Sequence, residues 1–338
     1  GGAMRALGLG LVAAAATAAA GAPRAGVPTV PLRGVHRQDV GMPVVGIGTW
    51  LYNDSVVKQA LPTAFRLGYR HVDTALGYEN QVGVGEALRE AAAELNLLRE
   101  DYFVTSKIPG GLNATATVAS LELSLRQLGL DYVDLMLIHF PATMDAQMAG
   151  GRARRQEEWK ALQEWAKQGK ARSVGVSHYC RRQFQDVLDV ATVPVAVNQV
   201  QYHVGMGSAG RNATDDFDFF QSIGTVFESF SPLCGPCDPP DNTELITGEL
   251  VTEIGRAHNK TGPQVALKWL VQQGIPVIPK TNVPKHMAAN IDLFDFNLTK
   301  EEMDRLSAAE RPAVGGGPSA LDSGDCGIAV EAEEVIVV

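Results

Sequence analysis

The sequence has few cysteines, no excess of basic residues and no long uninterrupted apolar run. Its 4 cysteines among 338 residues are too few for a small scaffold built on disulfides, although an even number permits pairing. Acidic residues outnumber Lys and Arg by 38 to 29, which gives a formal net charge of −9. Nucleic acids and anionic membranes attract basic surfaces, so neither is an expected partner. No apolar stretch reaches the roughly 18 residues that a membrane-spanning helix needs.

The N-terminal segment differs in composition from the rest of the chain. Met4 and Arg5 precede residues 6–20, which consist of Ala, Leu, Gly, Val and one Thr. One positive charge, a short apolar stretch and a run of small residues resemble a secretory signal peptide. Residues 1–22 are therefore assigned to a leader outside the fold. A disordered Ala-rich leader and an organelle transit peptide are the alternatives.

Five acceptor motifs for N-glycosylation agree with passage through the secretory pathway. They lie at Asn53, Asn113, Asn212, Asn259 and Asn297. Such a motif is permissive only, and it has no meaning in the cytosol. The secretory pathway or secretion is the favoured location, with the cytoplasm as the alternative. No membrane association is expected after removal of the leader.

From residue 44 onward, short β-like runs alternate with segments of helical periodicity. The predicted strands are residues 44–49, 69–73, 102–107, 132–139, 171–177, 195–199, 225–230 and 275–280. Between them, apolar residues recur at helical spacing, as at Val118, Leu121, Leu125 and Leu128, and at Val265, Ala266, Trp269 and Leu270. Eight strands, each followed by a helix, favour an α/β fold of the (β/α)8 TIM-barrel type. An open doubly wound sheet is the alternative, but its Gly-x-Gly-x-x-Gly turn is missing after the first strand.

Three segments lie outside this alternation. Residues 27–42 predict a β-hairpin that caps the barrel floor, and residues 232–242, with four prolines, predict a long loop. The tail at 311–338 has no structural assignment. The chain is thus predicted to contain one barrel domain at 27–310, with long loops at the C-terminal face.

The predicted strands end in polar residues, which is unusual for buried strands. Seven of the eight ends are Thr49, Asp73, Lys107, His139, Ser177, Gln199 and Lys280. In a (β/α)8 barrel, the C-terminal ends of the strands form the floor of the active site. The pattern therefore predicts a site at this end of the barrel.

Seven short motifs in order give the chain a family resemblance. They are Asp-Thr-Ala-Leu-Gly-Tyr at 73–78, Thr-Ser-Lys at 105–107, Leu-Ile-His-Phe-Pro at 137–141, Gly-Val-Ser at 175–177, Asn-Gln-Val at 198–200, Ser-Pro-Leu at 231–233 and Ile-Pro-Lys at 278–280. With these motifs the chain resembles the aldo-keto reductase family from about residue 27 to about residue 306. The resemblance implies NAD(P)H-dependent reduction of an aldehyde or ketone to an alcohol. It also implies a catalytic tetrad of Asp73, Tyr78, Lys107 and His139.

The chemistry of carbonyl reduction explains this choice of residues. The developing alkoxide needs a proton, and a tyrosine with a pKa of ~10 gives it up slowly near neutral pH. A nearby lysine ammonium, Lys107, favours the phenolate of Tyr78 and so lowers its pKa. Asp73 would keep Lys107 charged and oriented. A neutral His139 would orient the substrate oxygen and stabilise its charge.

The resemblance also implies a set of cofactor-binding residues, and no metal is expected. They are Thr49, Trp50, Asp73, Ser177, His178, Gln199, Phe230, Ser231, Leu233, Lys280, Thr281, Asn282, His286 and Asn290. Phe230 replaces the usual Tyr or Trp that stacks on the nicotinamide, and His178 replaces a usual Asn. His286 replaces the Arg expected at the 2′-phosphate, and it lacks the rigid fork of Arg. NADPH is the expected cofactor, with more NADH use than is typical.

The expected substrate is a small carbonyl compound of unspecified identity, and the protein is expected to be a monomer. Trp50, Tyr52, His139 and Phe140 are predicted to line its pocket. The tail that normally completes this pocket has no clear family counterpart. Two other functions stay open: a nicotinamide-binding regulatory protein without catalysis, against which the intact tetrad argues, and a thiol oxidoreductase.

The second of these rests on Cys234 and Cys237, which have the Cys-x-x-Cys spacing. Prolines surround the motif, whereas a redox motif of this type begins a helix. A loop disulfide is the first interpretation. Inert free thiols, redox regulation of the cofactor loop and a metal site follow in that order.

Overall fold

A computed structural model describes residues 26–36, 38–142, 151–206, 213–235, 237 and 241–312. The predicted leader at 1–22, the acceptor Asn212 and the tail beyond Pro312 lie outside the described residues. Among the described residues, no helix is both long and apolar enough to span a membrane.

The hairpin predicted near the N-terminus is present. Strands β1 (Thr29–Leu32) and β2 (Val40–Pro43) pair antiparallel. Leu32, Val40 and Met42 pack with Phe103 and Leu135, which lie near the starts of two barrel strands. The hairpin therefore covers the N-terminal end of the barrel, opposite the strand ends that carry the polar residues.

Eight parallel strands follow one another around a closed barrel. They are β3 (Ile47–Gly48), β4 (His71–Asp73), β5 (Phe103–Ile108), β6 (Val133–Ile138), β7 (Ala171–Ser177), β8 (Val197–Gln201), β9 (Val226–Phe230) and β10 (Val277–Ile278). The Val277 amide donates to the Val44 carbonyl at 2.9 Å, and the Gly46 amide donates to the Val277 carbonyl at 2.9 Å. These bonds join the last strand to the first, so the barrel prediction is confirmed and the open sheet is wrong.

Helices connect the strands and cover the barrel. Those described are α1 (Asp54–Arg66), α2 (Gln81–Leu95), α3 (Ala114–Leu128), α4 (Gly151–Trp165), α5 (Arg181–Leu188), α6 (Ala213–Ser222), α7 (Glu244–Thr247), α8 (Glu249–His258), α9 (Gly262–Gln272), α10 (Pro284–Ile291) and α11 (Lys300–Ser307). The Asn113 side chain caps α3 by accepting from the Ala116 amide at 2.8 Å. A reciprocal capping box between Thr261 and Gln264 starts α9.

Two details of the sequence interpretation need correction. Val118 is 40% exposed, and Thr117 takes its place on the buried face of α3, so the apolar stripe is rotated by one residue. Gln199 is not the last residue of its strand, because β8 continues to Gln201. Gln199 lies instead beside Glu228 of β9 in the parallel register. The four apolar positions predicted for α9 are all buried.

The described part of segment 232–242 contains no strand, and only a short 3₁₀ turn begins at Asp241. Cys234 and Cys237 form a disulfide, with their Cα atoms 5.4 Å apart. Both side chains are buried. The loop disulfide was the first of the interpretations of this motif.

Candidate active site

Lys107 is the centre of the polar cluster at the C-terminal end of the barrel. Its Nζ donates to Asp73 Oδ1 at 2.6 Å, to the Thr74 carbonyl at 3.2 Å and to Tyr78 Oη at 3.3 Å. Lys107 is fully buried near the end of β5, and Asp73 ends β4. Neighbouring parallel strands thus hold the ion pair, and a short 3₁₀ turn after β4 brings Tyr78 to it.

Asn80 fixes the loop that carries Tyr78 against the loop after β3. Its Nδ2 donates to the carbonyls of Thr49 at 2.9 Å and Tyr52 at 2.8 Å, and its Oδ1 accepts from Thr74 Oγ1 at 3.0 Å. Asn80 is fully buried. Its amide hydrogen bonds therefore join the loop that carries the predicted substrate residues Trp50 and Tyr52 to the loop that carries Tyr78.

Burial and charge act in opposite directions on the pKa values of Lys107 and Tyr78. Burial disfavours the charge of Lys107, but the charges and hydrogen bonds of Asp73 and Tyr78 raise its pKa overall. Burial raises the pKa of Tyr78, and Lys107 lowers it only in part. The expectation that Lys107 lowers this pKa is therefore right in direction for that contact, but the net shift is upward. Tyr78 is held as the protonated phenol.

His139 lies beside Tyr78 with its ring centroid 5.6 Å away. Burial, and after it the charge of Lys107, holds the pKa of His139 well below its usual value. The imidazole is therefore neutral near pH 7, which leaves one ring N–H to donate. Gly110 allows the loop after β5 to approach this segment, since a β-carbon at Gly110 would lie 1.8 Å from the Phe140 carbonyl oxygen.

Glu228 extends the cluster inward, and the sequence interpretation missed it. The Gln199 Nε2 donates to Asp73 Oδ2 at 2.9 Å and to Glu228 Oε2 at 2.8 Å. Glu228 is fully buried, and its Oε1 has no hydrogen-bond partner among the described residues. Burial, and then the charge of Asp73, raises the pKa of Glu228 to about 8. The signal in the sequence was a single acid inside the apolar strand β9.

These four buried residues, Asp73, Lys107, Gln199 and Glu228, form what we call the inner site. Each is at most 2% exposed. Gln199 joins the two carboxyl groups, and Lys107 neutralises one of them. Since the pKa of Glu228 is about 8, this carboxyl keeps its proton at neutral pH. The cluster then carries one positive and one negative charge.

His178 completes a row of rings across the site. Its ring centroid lies 4.4 Å from that of Phe140 and 4.8 Å from that of Phe230. Its Nδ1 contacts the His139 carbonyl at 3.0 Å and Ser177 Oγ at 2.9 Å. Burial lowers the pKa of His178 to about 3, so the ring is neutral. The ring expected to stack on a nicotinamide, Phe230, thus has a second imidazole beside it.

The remaining predicted cofactor residues lie farther out, after β10. We call Lys280, Thr281, Asn282 and His286 the outer edge. Lys280 Nζ lies 5.0 Å from the Tyr52 ring centroid and 5.9 Å from that of Trp50. Asn282 is exposed just before α10 and His286 is exposed in its first turn, whereas Asn290 is buried farther along this helix. Ser231 and Leu233 lie half-buried in the loop after β9.

Comparison with known proteins agrees with this architecture. The model of the Aldo/keto reductase family matches residues 40–311, so the chain belongs to the aldo-keto reductases. Within that family it is 34% identical to the Uncharacterized oxidoreductase YtbE of Bacillus subtilis over 84% of this chain and 95% of that protein. It is 33% identical to the glyoxal reductase of Bacillus subtilis over 83% of this chain and 94% of that protein.

A solved structure gives the same result for the fold. The Bombyx mori aldo-keto reductase in complex with NADP superposes with a TM-score of 0.72 at 29% identity, covering 83% of this chain and 93% of that chain. The chain is therefore an oxidoreductase with the (β/α)8 fold of its family. The family and this complex support use of a nicotinamide cofactor.

Proposed function

We propose that this protein reduces a small aldehyde or ketone to an alcohol with NADPH, and that Tyr78 donates the proton. The observation that carries the proposal is Lys107, whose ammonium contacts both Asp73 Oδ1 and Tyr78 Oη from a fully buried position. The arrangement is suited to acid catalysis at a carbonyl oxygen.

The residues of the chain fit a phosphorylated nicotinamide cofactor. Lys280 is an exposed cation whose ammonium lies near the rings of Tyr52 and Trp50, and no carboxylate in the described part of the chain pairs with it. Together with Thr281, Asn282, His286 and Asn290 it would hold the 2′-phosphate and the adenosine. Ser177, Gln199 and Phe230 would hold the nicotinamide, and Ser231 and Leu233 the pyrophosphate side. When bound, NADPH supplies the hydride.

The chain's own residues would handle the substrate oxygen and its proton. His139 donates its ring N–H to the carbonyl oxygen and orients it next to Tyr78. Tyr78 gives its proton to that oxygen as negative charge develops, because Lys107 at 3.3 Å stabilises the phenolate that remains. Asp73 keeps Lys107 charged throughout. Trp50, Tyr52 and Phe140 surround the substrate and limit the access of water.

A direct test compares two Tyr→Phe variants. Tyr78→Phe should lower the turnover of NADPH with a panel of aldehydes, glyoxal included, by about 10²–10⁴-fold, because it removes the acid. Binding of NADPH, followed by fluorescence quenching, should be nearly unchanged. Tyr52→Phe removes a hydroxyl from the same pocket and should keep most of the turnover. Equal turnover of Tyr78→Phe and wild type would refute the assignment.

The same panel distinguishes the other functions. A regulatory nicotinamide-binding protein would bind NADPH but would not oxidise it with any carbonyl compound of the panel. A thiol oxidoreductase would depend on Cys234 and Cys237, but both are at most 5% exposed and are not offered to a protein substrate. Loss of carbonyl reduction in a Cys234→Ser, Cys237→Ser variant that still binds NADPH would favour the thiol mechanism.

We further propose that the protein enters the secretory pathway and works as a monomer. The leader-like composition of residues 1–22 and the acceptor motifs support the first point. Asn113 is exposed, and its Oδ1 caps α3, which leaves Nδ2 for a glycan. Protein from the native host should begin near Gly21 and lose mass on glycosidase treatment. An intact mass equal to the uncleaved, unmodified chain would place the protein in the cytoplasm, and light scattering would give the oligomeric state.

A further inference from the structure

Three potential metal ligands meet beside the candidate site, in a cluster that carbonyl reduction does not use. His203 follows β8, and Cys234 and Cys237 lie in the loop after β9. A ring nitrogen of His203 and the two sulfur atoms all lie within 4.8 Å of one another. The three side chains are 0–5% exposed. Adjacent strands therefore place two sulfurs and one imidazole around one point in the protein interior.

The hydrogen bonds of His203 leave one ring nitrogen as a possible ligand. Its Nδ1 contacts the Val204 carbonyl at 2.8 Å, and a carbonyl oxygen can only accept. Nδ1 therefore carries the proton, and Nε2 carries the lone pair. Metal-binding histidines use the same arrangement, in which the second ring N–H donates to a carbonyl or carboxylate. The Gln201 amide is 3.4 Å from Nε2, a long contact that an ion would replace.

The loop geometry brings the two cysteines to the same side. The Cys234 amide donates to the Ser231 carbonyl at 2.9 Å, and the Cys237 amide donates to the Cys234 carbonyl at 3.1 Å. Two successive tight turns thus direct both sulfurs at His203. The spacing of two residues between the cysteines is the one that zinc sites use for a pair of thiolate ligands.

We propose that the reduced form of this cluster is a binding site for one thiophilic metal ion of the zinc class, held by His203, Cys234 and Cys237. A dithiol reductant first converts the disulfide into two thiols and is itself oxidised to a disulfide. Zn²⁺ then replaces the two thiol protons, which go to solvent, and binds two thiolates and Nε2. Sulfur and imidazole ligands select zinc over calcium or magnesium. This site is independent of the proposed carbonyl reduction.

The oxidised and reduced forms differ in what they connect. The disulfide joins residues only three positions apart and leaves His203 outside. The metal ion would connect the loop after β9 to the turn after β8, and this loop also carries Ser231 and Leu233. Among the described residues the cluster offers three ligands, so a water molecule or small ligand takes the fourth position. Oxidation and metal binding exclude each other.

Binding of Zn²⁺ and Co²⁺ to the full-length chain tests the site. The chain is reduced with a dithiol and desalted without oxygen. The free thiols per chain are then counted in wild type and in a Cys234→Ser, Cys237→Ser variant. Wild type should show two more thiols and bind one equivalent of Zn²⁺ that this variant does not bind. Co²⁺ should give thiolate-to-metal charge-transfer bands and the absorption of a tetrahedral ion. The oxidised wild type should give neither.

A histidine variant tests the third ligand. His203→Gln should weaken Zn²⁺ binding about tenfold or more and alter the Co²⁺ spectrum. His258→Gln changes a half-buried histidine that pairs with Glu302 elsewhere, and it should bind as wild type does. Circular dichroism checks that each variant is folded. Absence of the two extra thiols, absence of Zn²⁺ binding by the reduced chain, or unchanged binding by folded His203→Gln would each overturn the proposal.

Discussion

The inner site and the outer edge of the candidate active site are built in different ways. In the inner site every residue is at most 2% exposed, and hydrogen bonds of 2.6–2.9 Å join the carboxyl groups to Lys107 and Gln199. At the outer edge, Lys280, Asn282 and His286 are exposed, and the Lys280 ammonium lies 5.0 Å from the Tyr52 ring centroid and 5.9 Å from that of Trp50. Hydrogen bonds among its own residues position the first region, whereas the second exposes its polar side chains to solvent.

This difference predicts how strongly each region responds to mutation. Charges in a buried cluster are screened little by water, so removal of one partner leaves a costly unpaired charge. Charges at the surface interact through water and salt, and their contributions are small. Changes in the inner site should therefore alter both stability and chemistry. Changes at the outer edge should alter the choice of cofactor alone.

The largest effect is expected from Lys107→Met, which keeps the length of the side chain and removes its charge. Asp73 would stay buried without its cation, at a cost of about 3–5 kcal/mol in the free energy of unfolding. Turnover should fall as far as in Tyr78→Phe, because nothing then stabilises the phenolate. Urea unfolding and NADPH oxidation measure the two effects.

Two further variants isolate the buried ion pair as the cause. The double variant Asp73→Asn, Lys107→Met removes both charges and should lose less stability than the sum of the single variants. Lys58→Met breaks the exposed pair of Lys58 with Glu86 and should barely change the midpoint of unfolding. Additive losses in the double variant would show that the ion pair does not couple these residues.

The second prediction concerns the pH dependence of stability. The pKa of Glu228 is about 8 in the folded protein, against a usual value of 4.5, so the folded state holds a proton that the unfolded state releases. The contribution of Glu228 to the free energy of unfolding is fully present below pH 4.5. It is lost as the pH rises towards 8, by an amount on the order of several kcal/mol. Glu228→Gln should flatten this part of the profile.

A second buried acid supplies the control for Glu228. Burial also raises the pKa of Glu158 to about 8, although the amides of Gly111 and Leu112 donate to its carboxylate. Glu158→Gln should flatten the profile of stability against pH in the same way. Because Glu158 lies away from Asp73, this variant should leave the pH profile of turnover unchanged. Glu228→Gln should shift the alkaline limb of turnover. The free energy of unfolding is measured with urea at pH 5.5 and 8.5. If it changed between these pH values as much in Glu228→Gln as in wild type, the raised pKa of Glu228 would be wrong.

The sequence could predict the parts of the site that depend on strand order. A polar residue at the end of a buried strand stands out from its apolar neighbours, and parallel strands bring such ends to one face. Asp73, Lys107 and His139 were found in this way, and the motif around Tyr78 added the fourth residue. The eight strands were found because each is a short run between turn signals.

Contacts between side chains from distant segments could not be predicted. The orientation of the Gln199 amide depends on Glu228, which lies 29 residues further along the chain and beside it only in the folded register. The row of rings formed by Phe140, His178 and Phe230 depends on the loops after β6 and β7 and on the end of β9, three separate segments of the chain. In α3, Thr117 rather than Val118 is buried. A single apolar residue at the border of a helical stripe defines the buried face only to within one position.

The smallest effect is expected at the outer edge, from His286→Arg. Arg keeps its charge at every pH used and offers a planar fork that fits a phosphate, whereas the histidine has neither property. His286 is exposed at the first turn of α10, so the gain should be about 0.5–1 kcal/mol, or roughly two- to fivefold in the ratio of kcat/KM for NADPH over NADH. His36→Arg makes the same change in the exposed hairpin region at the opposite end of the barrel and should leave the ratio unchanged. The gain should also shrink as salt is added, because the interaction is screened. An equal ratio in both variants would mean that His286 does not approach the 2′-phosphate. The prediction that changes at the outer edge alter the choice of cofactor would then fail at this residue.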